Sequence, residues 1–247
     1  MADPLVLAAF FFVAALLYAS VGHAGASAYL ATMAILGVPA EVARPTALSL
    51  NIVVASFVSL RFWRAGFVQL RVVLPFVIGS IPAAFIGGAI DVPSEIYEPL
   101  LGIVLLVAAA GFVRTARSTA QETPAPVRVP VLLAVVAGAA IGLVSGLTGT
   151  GGGIFLSPLL ILAGWATTRQ ASGIAAVFIL ANSIAGLAGN VASVGGVPSA
   201  LPLWILAVLG GAIVGAEIGS RRASPPQLRL ALAGVLVIAG LKLIFIG

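Results

Sequence analysis

The chain has no cysteine and a single histidine, and only 8% of its 247 residues are charged. Without cysteine there is no disulfide framework, no thiolate metal site and no thiol nucleophile. A soluble globular chain carries about 25% charged residues to clothe its surface, so this surface is not built for water. Disorder is excluded as well, because 61% of the residues are hydrophobic and the mean hydropathy is +1.22. The outer face must meet lipid. The net charge of +5 could point to nucleic acid, but in a membrane protein a basic excess reports cytoplasmic loops.

What is present is a series of long uncharged runs. A spanning helix needs about 20 apolar residues. Residues 4–40 hold nothing ionised at neutral pH, too long for one helix, and Gly22-His23-Ala24-Gly25-Ala26-Ser27 breaks the run into arms at 5–21 and 27–38. Three ordinary spans follow, between Arg44 and Arg61, Arg71 and Asp91, and Glu98 and Arg114. Pro75 and Pro82 fall inside the second and are expected to kink it, which bundles tolerate when neighbours satisfy the freed carbonyls. The polar, proline-rich stretch 114–130 divides the chain almost in half. Beyond it the pattern returns: a long run broken at Thr148-Gly149-Thr150-Gly151-Gly152-Gly153, two spans divided near Asn190 to Pro198, and a last span from about 228 to 246.

A gapless shift of 125 residues lays Ser20 on Ser145, the His23 loop on the Thr148 loop, Thr32 on Ser157 and Arg44 on Arg169. The expected organisation is therefore a first repeat at 1–116, a cytoplasmic linker at 117–128 and a second repeat at 129–247. The Lys/Arg excess sets orientation. Arg61, Arg64 and Arg71, then Arg114, Arg117 and Arg128, then Arg221, Arg222 and Arg229 mark three cytoplasmic loops, with Arg169 also inside. The loop 91–98 carries Asp91, Glu95 and Glu98 with no base, and the uncharged loop 190–198 likewise suits the outside. Parity then opens the first hairpin outward and the second inward. The predicted fold is an all-α polytopic membrane protein of two inverted repeats, each a broken, re-entrant-like hairpin plus three transmembrane helices, with both termini outside. Inverted repeats with broken helices meeting near the midplane are a common plan of secondary transporters.

A glycine-rich break at membrane depth leaves backbone groups that protein, water or ligand must satisfy. The short arms begin directly after the breaks, so their positive N-terminal ends face the site, where free N–H groups favour an anion. Gly25, Gly151, Gly152 and Gly153 allow close approach; Ser27, Thr148 and Thr150 add hydroxyl donors. Close helix packing alone is the competing account. For Gly138, Gly142 and Gly146, and for Gly211, Gly215 and Gly219, spaced by four, it is the preferred one. His23 could donate to an anion or carry a proton with it, or it could simply satisfy loop carbonyls. Arg44 and Arg169 could draw anions into the outer and inner vestibules, or serve as snorkelling interfacial anchors. Ser49 and Ser56 share a helical face that could turn a polar stripe toward the cavity, or could serve hydrogen bonds between helices equally well. Asn51 and Ser172 fall within a turn or two of the breaks and are the first choices there. Glu217 has Arg221 at i+4 and is expected to pair with it at the cytoplasmic end.

The run GLTGTGGGIFLSPLLILAGWATTRQASGIAA, with its weaker copy SVGHAGASAYLATMAILGVPAEVARPTALSLN and the duplicated plan over nearly the whole chain, resembles the TauE/SafE sulfite exporters, also called TSUP transporters. The resemblance implies transport of a small sulfur-containing anion such as sulfite, a sulfonate or sulfoacetate, and in some members of other organic anions. The first half departs from the pattern, having Gly22-His23-Ala24-Gly25-Ala26 where the second has a triple glycine.

The reading taken forward is a secondary transporter in the bacterial cytoplasmic (inner) membrane, exporting such an anion by alternating access around the two breaks. The substrate-binding candidates are His23, Gly25, Ser27, Asn51, Thr148, Thr150, Gly151, Gly152, Gly153 and Ser172. Membrane potential alone drives an anion outward by roughly 2.3 kcal/mol per charge per 100 mV. A passive anion channel of the same fold is the alternative, and an intramembrane serine hydrolase using Ser27 with His23 is a weaker one, since no nucleophile turn or orienting third residue accompanies the pair. Nothing in the sequence points to a cofactor, a metal, a catalytic residue or nucleic acid. The small-residue faces would allow a homodimer.

Overall fold

The computed structural model describes residues 3–117, 129–190, 198–221 and 226–245, with backbone alone at 219–221. The core of the expected linker and most of the loop 190–198 lie outside the described residues, as do Arg128, Arg222 and the side chain of Arg221. Among the described residues every regular element is an α-helix, ten in all: α1 (Pro4–Ser20), α2 (Ala26–Ile35), α3 (Ala40–Arg64), α4 (Leu70–Ala89), α5 (Ser94–Arg117), α6 (Val131–Thr148), α7 (Gly153–Leu162), α8 (Thr168–Asn190), α9 (Leu201–Arg221) and α10 (Pro226–Phe245).

The lengths repeat in order across α1–α5 and α6–α10. Among the described residues seven helices are long and apolar enough to cross a membrane. The 17 residues of α1, at about 1.5 Å rise each, come close to the roughly 30 Å of a hydrocarbon core. By contrast α2 and α7 have 10 residues each, about half that depth. Pro75 and Pro82 both lie inside α4, which runs unbroken from Leu70 to Ala89.

The pairing of helices follows the repeat: α4 packs on α6 as α9 packs on α1, α5 lies against α10, and α3 and α8 cross at the centre. Glycine makes these approaches possible. A Cβ on Gly138 would stand 2.2 Å from Phe76 O, on Gly142 2.5 Å from Ser80 O and on Gly146 2.2 Å from Ala84 O, all on α4; on Gly211 and Gly215 it would stand 2.2 and 2.1 Å from Phe12 O and Leu16 O of α1. Both small-residue faces expected to pack are thus used within the chain; Gly219 has no described side-chain environment. Outward, Leu5, Phe10, Ile78, Phe85, Leu132, Leu206 and Ile238 are exposed apolar side chains, the covering a lipid-facing bundle needs.

One expectation is corrected. Ser49 and Ser56 do not line the interior: each hydroxyl donates to its own i−4 carbonyl, Pro45 O at 2.8 Å and Ile52 O at 2.7 Å, and Ser56 is exposed. A hydroxyl satisfied within its own helical turn can face lipid. Glu217 also pairs with Arg61 across the ends of α9 and α3; the expected pair with Arg221 lies outside the described side chains. Helix packing brings that guanidinium to the carboxylate, which i,i+4 spacing along α9 alone could not reveal.

Candidate functional site

Two breaks interrupt the bundle, at residues 21–25 between α1 and α2 and at 149–152 between α6 and α7. Each ends in a glycine with positive φ at the cap of the short helix, Gly25 at 101° and Gly152 at 76°. A side chain there is strained, and no side chain of the cap residue itself closes either helix start.

The first break reaches across to the second through His23. Its Nε2 lies 3.1 Å from Gly153 O, at the first residue of α7, and its Nδ1 lies 3.1 Å from Val21 O. The ring packs edge-on against Phe112 and Tyr18, with centroids 5.6 and 6.4 Å away. Asn51 of α3 is the second bridge. Its Oδ1 accepts from the N–H of Ala26 at 3.0 Å, capping α2, and its Nδ2 donates to Ser183 Oγ of α8 at 3.2 Å. Gly151 leaves it room: a Cβ there would stand 2.3 Å from Asn51 Nδ2.

The hydroxyls fall into smaller groups. Ser27 Oγ donates to Tyr18 Oη at 2.9 Å, and Tyr29 Oη donates to Ala24 O at 2.6 Å. Thr148 donates to Val144 O and shares a 3.0 Å bond with Thr150 Oγ1, while Tyr97 Oη donates to Thr148 O. Ser172 sits beneath Gly22 and donates to Val21 O at 2.8 Å. No hydrogen bond joins Ser27 to His23 among the described residues, so the pair a serine hydrolase needs is not assembled.

Arg44 is 5% exposed and is held by carbonyls at the ends of two helices. Its Nη2 donates to Gly87 O, Gly88 O and Gly146 O at 2.7–2.8 Å, its Nε to Gly146 O and its Nη1 to Ile90 O. Those carbonyls are the unpaired, partly negative ends of α4 and α6. The same side chain lines a cavity of about 310 Å³ with Glu41, Asp91, Tyr97 and Asn190. Its repeat mate Arg169 lies elsewhere, with its guanidinium 5.5 Å from the centre of the Phe67 ring.

The structure thus brings together His23 with Gly153, and Asn51 with Gly151 and the α2 cap at Gly25. It keeps Thr148 and Thr150 at the end of α6, and Ser172 under the first break. Ser27, Asn51 and Thr148 are no more than 1% exposed and His23 is 3% exposed. The breaks are sealed inside the protein in this conformation. Sequence reading missed Tyr18, Tyr29 and Tyr97, whose hydroxyls tie down the breaks; aromatic residues in apolar runs give no sign of this role.

The sequence model described as "Sulfite exporter TauE/SafE" matches residues 7–243. The chain is 43% identical over 240 residues to "Probable membrane transporter protein y4hK" of Sinorhizobium fredii (strain NBRC 101917 / NGR234), covering 97% of each. It is 28% identical over 242 residues to "Probable membrane transporter protein YjnA" of Bacillus subtilis (strain 168), covering 90% of this chain and 92% of that one. No solved structure matches the chain significantly.

Proposed function

We propose that this chain, which belongs to the sulfite exporter TauE/SafE family, carries a small sulfur-containing anion such as sulfite or an organosulfonate out of the cell. The chain is a multi-pass membrane transporter of the bacterial cytoplasmic membrane and not an enzyme. What supports the sulfur-anion reading is a pair of helix starts, capped by Gly25 and Gly152, at buried breaks that His23 and Asn51 link to one another. Helix starts favour anions through free N–H groups and their positive dipole ends, and burial strengthens both because no water screens them.

The breaks are held shut by bonds between the halves: His23 to Gly153 O, Asn51 to Ser183 and Ser172 to Val21 O. In the proposed cycle the repeats 1–116 and 129–247 are inverted, with both termini outside. They rock about these bonds so that the breaks open first to one side and then to the other. His23, Gly25, Ser27, Asn51, Thr148, Thr150, Gly151, Gly152, Gly153 and Ser172 form or frame the site. Arg44 and Arg169 supply positive potential at the two mouths.

The test is counterflow in proteoliposomes with sulfite, sulfoacetate, taurine, sulfate and acetate, comparing wild type with Gly152→Leu. A Cβ at Gly152 would meet Ile141 at 2.9 Å and Phe178 at 3.0 Å, so leucine fills the α7 start. Saturable exchange of a sulfur anion, lost in the variant, is expected. Flux that never saturates would show a channel instead, and folded protein that moves none of the panel would overturn the sulfur-anion assignment.

A further inference from the structure

The two breaks are duplicated in sequence, yet their helix starts are treated differently. At α2 the N–H of Ala26 is already taken by Asn51 Oδ1. At α7 no acceptor among the described residues stands against the N–H groups of Gly153 and Ile154.

A second, independent feature lies beside that open start. Ser145, on the last turn of α6, is 0% exposed, and its Oγ has no hydrogen-bond partner. Its side chain faces the α7 cap: a Cβ on Gly152 would stand 3.3 Å from Ser145 Cβ, with Ile141 and Phe178 as the other neighbours. A helical serine or threonine ordinarily turns its hydroxyl back on a carbonyl three or four residues earlier. Ser20, the repeat mate of Ser145, does so to Leu17 O at 2.7 Å, and Thr148 does so to Val144 O. An unpaired buried hydroxyl costs on the order of 1–3 kcal/mol, so its persistence beside an open helix start calls for an acceptor.

We infer that the transported oxyanion is held at the second break alone, with the Ser145 hydroxyl and the N–H groups of Gly153 and Ile154 as its donors. The first break is a self-capped lid. Its leading N–H, that of Ala26, is taken by Asn51, and it contributes His23 as a bond to Gly153 O, on the residue whose N–H faces the anion. One chain therefore binds one anion. The inference rests on the proposed anion transport and adds to it a residue, Ser145, and a stoichiometry.

The test uses the full chain, purified and in proteoliposomes, with sulfite as the probe. It reads sulfite-dependent thermal stabilisation, half-saturation in counterflow and, by calorimetry, the number of anions bound. Ser145→Ala is expected to raise the sulfite concentration for half-saturation about tenfold or more, the usual loss for a donor to a charged group. Ser145→Cys, which keeps volume and a weak donor, should fall between. Ser20→Ala should stay within about twofold of wild type, since its hydroxyl is already paired. Melting without sulfite checks that each variant is folded, and Ser145→Gly replaces any that is not. If the Ser145 variants bind sulfite as wild type does, or if two anions bind per chain, the inference is overturned while sulfur-anion transport stands. If wild type binds and moves no sulfite, both fall.

Discussion

At the residue scale, Arg44 shows how a single side chain can take a role its position along the chain does not announce. Near the start of a span it reads as an interfacial anchor or an anion lure. In the structure it gathers carbonyls from the ends of α4 and α6. Replacing it strands those carbonyls, and lysine, a point charge on a flexible stem, cannot span them as the planar fork does. Arg44→Ala is expected to lower stability by about 3 kcal/mol, with Arg44→Lys restoring less than half; chemical or thermal unfolding in detergent measures both. Gly151 makes a sharper case. Its φ of 76° and the 2.3 Å separation of an added Cβ from Asn51 Nδ2 mean that Gly151→Ala must break the bridge from α3 to α8. Transport should fall at least about tenfold while the protein still inserts and purifies, and counterflow on equal amounts of folded protein decides it.

At the element scale, glycines at four-residue spacing serve contact between helices, and their effects separate by environment. Gly142 sits against the α4 backbone, where a Cβ would be 2.5 Å from Ser80 O, whereas Gly234 in α10 has nothing within 4 Å. Gly142→Ala should destabilise by roughly 1–3 kcal/mol because α6 must move off α4. Gly234→Ala should be neutral or stabilising by up to about 1 kcal/mol, since alanine is the better helix former. Melting temperatures of the two variants beside wild type test the contrast. The helices themselves were readable without the structure. The arm expected at 5–21 is α1 shifted by one residue, the arm expected at 27–38 is α2, which starts one residue earlier and ends three earlier, and the breaks fall where glycine interrupts the apolar runs. Charge was a less faithful marker of helix ends: Arg44 lies inside α3, because a buried guanidinium can be satisfied by helix termini and need not end the span.

At the scale of the whole molecule, the order of elements repeats after α5, and the pairings of α4 with α6 and of α9 with α1 are exchanged counterparts. The proposed inverted arrangement predicts which loops face which side, and the absence of cysteine makes the chain ready for the measurement. Arg117→Cys, beside the linker, should react with a membrane-impermeant thiol reagent only from the cytoplasmic side. Glu95→Cys, in the first turn of α5, should react only from outside. The opposite pattern would reverse the topology, and labelling of both from one side would sink the odd number of crossings between them.

The amino-acid sequence alone determined the solvent, the number and placement of the helices, the two breaks and the family resemblance. These follow from hydropathy and glycine placement, which act locally and leave their mark residue by residue along the chain. Only the tertiary structure decided who satisfies whom: His23 across to Gly153, Asn51 onto the α2 start, Arg44 onto two helix ends, Glu217 onto Arg61, and Ser145 onto nothing. A buried polar group can be satisfied by any donor or acceptor that folding brings within hydrogen-bond reach. Those partners lie up to 156 residues away in sequence, so no periodicity or spacing could have named them.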